Sequence, residues 1–163
     1  MIGIYSVLNV FHPNVPRPSF KFYDDTLVAG APPSTISTPL VKWPALITED
    51  FPFLFVGNSS PEQWTEGHLS YYNSGEINEV KNIVTGLLGL AGPEPKYIFP
   101  PSAYVDLKTA LKPPEISIIS PFREQVWQIR VALRTMGLGS VDVGDVESLQ
   151  GAEKYVFPTH LEG

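Results

Sequence analysis

The sequence predicts an α/β fold with helices flanking a parallel sheet, and three observations carry that expectation. Two short apolar runs closed by glycine or polar residues, Phe51-Pro-Phe-Leu-Phe-Val-Gly57 and Ile116-Ser-Ile-Ile-Ser120, have the length and composition of buried strands. Downstream of each lies a stretch whose apolar residues recur every three or four positions, the pattern of an amphipathic helix. Strands that alternate with helices lie parallel in one sheet, joined by right-handed crossovers.

The length of 163 residues fits one domain. An apolar fraction of 43% and a charged fraction of 17% are those of a globular protein, while 17 prolines demand long irregular connections. A net charge of −6 argues against a free-standing nucleic-acid binder, although a local basic strip is compatible with it. Without cysteine there is no disulfide framework, thiolate nucleophile or cysteine-based zinc site. His12, His68 and His160 share no metal-ligand spacing. The apolar start, Met1 to Phe11, has no basic flank or cleavage site, and no window approaches the roughly 20 apolar residues of a membrane span. The expectation is a soluble, cytoplasmic chain with no membrane partner.

Residues 1–19 read as an irregular segment, with a β-prone run at Ile4–Phe11 broken by three prolines. Residues 30–50 are a loop rich in Pro, Ser and Thr, and a strand follows at about 51–57. Residues 58–72 form a polar loop leading to a helix at about 74–90, whose stripe is Ile77, Val80, Val84, Leu87 and Leu88. Asn73 and Glu76 have the spacing of a capping box, with Asn at the N-cap and Glu at N3. A proline-rich stretch at about 91–114 is longer than a median connection and reads as an insertion. A strand at 116–120 comes next, and Ser120 and Pro121 supply the N-cap and first turn of a helix at about 121–136. Phe122, Val126, Ile129, Leu133 and Met136 form its apolar face, while Arg123, Gln125, Gln128, Arg130 and Arg134 occupy the others. Strands at 140–145 and 154–157 complete the sheet, and 158–163 is a tail.

Ile116-Ser-Ile-Ile-Ser-Pro-Phe-Arg-Glu-Gln-Val126 is followed seventeen residues later by Val143-Gly-Asp-Val-Glu-Ser-Leu-Gln-Gly-Ala-Glu-Lys-Tyr-Val-Phe157. These two segments resemble motifs IV and V of the second RecA-like domain of superfamily 1 helicases, of the nonsense-decay and small-RNA-silencing type. His12-Pro13 and Phe22-Tyr23-Asp24-Asp25-Thr26-Leu27 resemble the two ends of an Asn-Tyr-Arg-Ser-His-Pro region, and Ser70-Tyr-Tyr-Asn73 with Glu76 resembles a further family pattern. The likeness covers 20–157, most closely 116–157. It implies a RecA-like, P-loop NTPase-type sheet, incomplete at the C-terminus, with ATP and magnesium as cofactors and single-stranded RNA as partner.

The resemblance also implies residue roles. Phe122 stands where an aromatic ring packs on adenine, a role that competes with its place at the head of the apolar stripe. Gln150, Gly151 and Glu153 would face the nucleotide cleft, and Ser120 and Asp145 would lie near the RNA path. Asp145 replaces a Ser or Thr, Leu149 a Phe and Ala152 a basic residue, so a carboxylate stands where a hydroxyl could hold a phosphate.

The chain contains no Gly-x-x-x-x-Gly-Lys-Ser/Thr phosphate loop. No catalytic residue and no metal ligand is assigned to it. A first RecA-like domain would have to supply the phosphate loop and the magnesium carboxylates, and a motif VI arginine is missing as well. The reading is a fragment of an ATP-dependent RNA helicase, forming one wall of the ATP cleft and part of the RNA path, and inactive alone. Its rivals are a non-enzymatic interaction module using the 91–114 stretch, and a fragment without function of its own.

Overall fold

A computed structural model describes residues 2–5, 53–67, 69–88, 111–150 and 157–160. Within these the elements are β1 (Ile2–Tyr5), β2 (Phe53–Val56), β3 (Gln63–Trp64), β4 (Tyr71–Tyr72), α1 (Ser74–Leu87), β5 (Ser117–Ile119), α2 (Arg123–Thr135), β6 (Asp142–Gly144) and β7 (Phe157–His160). A 3-10 turn, Pro113–Glu115, leads into β5.

Five strands form one sheet in the order β2-β1-β7-β5-β6. The centre of the expected fold is present: β5 runs parallel to β6, with Ser117 opposite Asp142 and Ile119 opposite Gly144, and α2 connects them as a βαβ unit. β7 is also parallel to β5. The other half corrects the expectation of an all-parallel sheet, because β1 pairs antiparallel with both β2 and β7. β1 comes from the 1–19 segment, which reads as irregular in sequence. β7 extends through residues 157–160, where a tail is expected from 158. The 58–72 stretch, read as a polar loop, folds into the two-stranded hairpin β3–β4, with Trp64 opposite Tyr71.

The core lies where α1 and α2 pack on each other and α2 packs on β6. Ile83, Val84, Ile116, Ile118, Ile129 and Leu133 are at most 2% exposed, joined by Val80, Val126 and Val143. Burying one such side chain stabilises the fold by about 1.5–3 kcal/mol. The alternation in β5 puts Ile116 and Ile118 on one face of the strand. Gly137, at φ 75°, takes the left-handed conformation that ends α2 and turns the chain toward β6.

Candidate functional site

Because β5 and β6 are adjacent and parallel, their carboxyl ends open on the same edge of the sheet. This is where α/β proteins place their ligands. Ser120, Pro121, Phe122 and Arg123 leave β5 there, and the turn from Asp145 to Gln150 leaves β6. The backbone N–H of Ser120 donates to the Gly144 carbonyl at 3.0 Å, extending the ladder past the last strand residue and tying the two segments together.

α2 begins later than its sequence signal. Phe122, not Ser120, is its N-cap, with extended backbone (φ −97°, ψ 120°) and no side-chain cap. The buried Ser120 hydroxyl, on a residue 1% exposed, accepts the Phe122 N–H at 3.3 Å, and Ser70 from the β3–β4 hairpin accepts the Glu124 N–H at 3.3 Å. Two serines from outside the helix therefore serve the N-cap amide and one amide of its first turn. The displacement moves Phe122 off the apolar stripe: it is half-buried and stands apart from the core cluster that holds Val126, Ile129 and Leu133.

Across the edge, Asp145 organises the turn that follows β6. Its Oδ1 accepts the Ser148 N–H at 2.8 Å, and its carbonyl accepts the Ser148 hydroxyl at 3.1 Å and the Leu149 N–H at 3.3 Å. Hydrogen bonding to the Ser148 side chain, then to its backbone, holds the Asp145 carboxyl below its ordinary range, with the Arg123 charge a smaller contribution. The turn folds back so tightly that a Cβ on Gly144 would lie 3.2 Å from Leu149 Cγ and still closer to the Ser148 hydroxyl. Gln150 is exposed at the end of the turn. Gly151 and Glu153, the other two residues expected at the nucleotide cleft, lie outside the described residues.

Beneath this edge lies a buried polar cluster. Asn73, the N-cap of α1, accepts the N–H groups of Gly75 and Glu76 at 3.0 and 3.1 Å, as its capping spacing predicts. Its own N–H donates to Gln125 Oε1 of α2 at 2.8 Å, and Gln125 Nε2 donates to Glu76 Oε2 at 3.3 Å. Gln125 thus stands between the two members of the expected capping box. Asn73 also holds Ser60: its amide donates to the Ser60 carbonyl at 2.8 Å and its Oδ1 accepts the Ser60 hydroxyl at 2.8 Å. In the sequence Gln125 belongs only to a polar face of α2, and its spacing carries no signal of partners fifty residues away.

Among the described residues no group of three or more His, Cys, Asp or Glu side chains converges as a metal site, and no helix is long and apolar enough to cross a membrane.

The strand-helix-strand unit with its loops gathered at one carboxyl edge places the chain in the α/β class of folds. Residues 11–157 match the AAA domain family, and the chain belongs to it. It is similar to RNA helicase Mov10l1 of Homo sapiens, 30% identical over 140 residues, which cover 86% of this chain and 10% of that protein. RNA helicase Mov10l1 of Mus musculus is 29% identical over 140 residues, with the same coverage of 86% and 10%. The Danio rerio protein mov-10-B.2 is 31% identical over 147 residues, covering 86% of this chain and 13% of that protein. The chain therefore spans only 10 to 13% of the length of these relatives.

Proposed function

We propose that the chain is part of the second RecA-like domain of an ATP-dependent RNA helicase, with motif IV at 116–126 and motif V at 143–157. It contributes one wall of an ATP cleft and part of an RNA path. The observation that carries this reading is that the Ser120–Arg123 segment and the Asp145–Gln150 turn leave the same carboxyl edge of two adjacent parallel strands, tied there by the Ser120–Gly144 hydrogen bond.

The residues present suit the adenine of ATP. Phe122 stands half-buried at the edge and outside the core, where an aromatic ring offers a stacking face without demanding a particular base edge. Gln150, Gly151 and Glu153 are the residues assigned to the nucleotide cleft in this reading. ATP supplies the transferable phosphoryl group, and magnesium is assigned to carboxylates of a first RecA-like domain. Ser120 shapes the edge from below, and Asp145 lies near the RNA path.

The test joins this chain to a first RecA-like domain bearing a phosphate loop and measures RNA-stimulated ATP hydrolysis. The chain alone should show none. The joined protein should turn over ATP, and Phe122→Ala should raise KM for ATP about tenfold, the loss of roughly 1.4 kcal/mol of ring contact. A joined protein without turnover, or one whose KM ignores Phe122→Ala, would sink the reading.

A further inference from the structure

Three of the chain's four arginines, Arg123, Arg130 and Arg134, belong to α2. Counting Trp127, they are spaced four, three and four residues apart, the spacing that puts side chains on one face of a helix. All four are exposed, and Trp127 leaves 55% of its surface open to solvent. This is not the face that packs inward, which carries Val126, Ile129 and Leu133. The one acidic residue of α2, Glu124, is 5% exposed, and its Oε1 accepts a hydrogen bond from Gln128 at 3.0 Å. The stripe therefore has three positive charges interleaved with an indole and no carboxylate of its own helix, on a chain whose net charge is −6.

We propose that this face of α2 binds single-stranded RNA, with the arginines on phosphates and Trp127 stacked on a base. Protein surfaces that hold single strands combine a positive track for the backbone with aromatic rings for the bases, and this stripe supplies both. Its length, about 16 Å from Arg123 to Arg134 at 1.5 Å per residue, suits a few nucleotides. Arg130 donates through Nε to the Val143 carbonyl at 2.9 Å, which holds its guanidinium against the outer edge of β6; Nη2 contacts the same carbonyl, leaving further donors of the five for a phosphate. Arg130 and Arg134 line a cavity of about 220 Å³ with Leu138, Val141 and Asp142. Two carboxylates lie beside the track, Asp142 in the cavity with Arg130 and Arg134 and Asp145 near Arg123, and both disfavour phosphate.

The inference rests on the proposed RNA path at Ser120 and Asp145 only in its starting point, the carboxyl edge where Arg123 begins the stripe. Trp127, Arg130 and Arg134 extend that path down the outside of the domain.

The experiment titrates the full chain with a fluorescein-labelled oligouridylate at several salt concentrations. Three phosphate contacts give a slope of log K against log salt of about −2. Arg134→Gln should reduce the slope by about 0.7, and Asp142→Asn should tighten binding. Trp127→Ala should weaken it about fivefold or more, while Trp127→Phe keeps most of the affinity. Far-UV circular dichroism checks that each variant is folded, as expected for exposed positions. Several outcomes would overturn the proposal: no binding at low salt, or binding that Trp127→Ala and Arg134→Gln leave unchanged. Weakening by Arg123→Gln alone would leave the edge path standing and remove the α2 track. Equal displacement by polyglutamate would make the stripe a site for acidic protein, not RNA.

Discussion

The side chain of Gln125 in α2 accepts the backbone N–H of Asn73, the residue that caps α1, at 2.8 Å and across 52 residues of sequence. The same amide donates to Glu76 in the first turn of α1. Through one side chain, 3% exposed, the start of one helix is set against the start of the other. That arrangement also orients the Ser120–Arg123 segment, since Gln125 follows it by a single half-turn and Ser70, from the adjoining hairpin, serves the Glu124 N–H.

Gln125→Leu should therefore destabilise the fold more than an average surface change. It keeps approximate volume but leaves the Asn73 N–H without its acceptor and removes a donor from the Glu76 carboxylate. An orphaned buried polar group costs about 1–3 kcal/mol, and urea unfolding of the two proteins measures it as a lower midpoint at similar slope. An unchanged midpoint would show that water replaces Gln125 without loss.

Gly75→Ala tests the same junction from the other side. Alanine in a helix is ordinarily favoured over glycine by about 1 kcal/mol. Here the added Cβ would fall 2.7 Å from Ser60 Cβ and closer still to the Ser60 hydroxyl, so the Asn73–Ser60 contact must open. The clash outweighs the propensity gain, and the variant should melt at a lower temperature than the wild type. Gly75→Ala in a Ser60→Gly background should recover part of the loss, because the obstructing side chain is gone.

Much of this architecture is visible in the chain itself, because local periodicity encodes it. The apolar run Ile116–Ile119, the stripe Val126, Ile129 and Leu133, and the run at 141–144 give β5, α2 and β6, and Asn73 announces its own helix. The start of α2 is misplaced because Ser120-Pro121 is a strong cap signal, yet the Ser120 N–H is taken by Gly144 in the sheet. Pairing is the other loss: nothing local to residues 2–5 states that they join Val56 on one side and His160 on the other. At the site, the resemblance alone singles out Asp145, and its partnership with Ser148 depends on a turn that Gly144 permits.

The Asp145 turn should respond to pH only in acid. The folded carboxyl titrates below its ordinary value of 3.8, so the turn's contribution is fully present above that value and is lost as pH falls through the lower folded pKa. Between pH 5 and pH 8 nothing should change. The amide chemical shift of Ser148, followed by NMR, should titrate with a midpoint below 3.8. A midpoint at or above that value would mean the Asp145–Ser148 hydrogen bond does not favour the ionised carboxyl.

Asp145→Ser separates the turn from the charge. Serine is also a good capping residue, so its hydroxyl can accept the Ser148 N–H and preserve the fold of the edge. What disappears is a negative charge beside the proposed RNA path. A unit charge about 7 Å from a phosphate, seen through water, opposes binding by roughly 0.6 kcal/mol, which is about a threefold change in affinity at low salt. In the protein joined to a first RecA-like domain, the substitution should tighten single-stranded RNA binding by that factor. It should do so equally for different base sequences, because phosphate contacts carry no sequence information. The gain should shrink as salt rises and the repulsion is screened. Affinity unchanged at low salt would place Asp145 away from the RNA, leaving it the single task of holding the turn through Ser148.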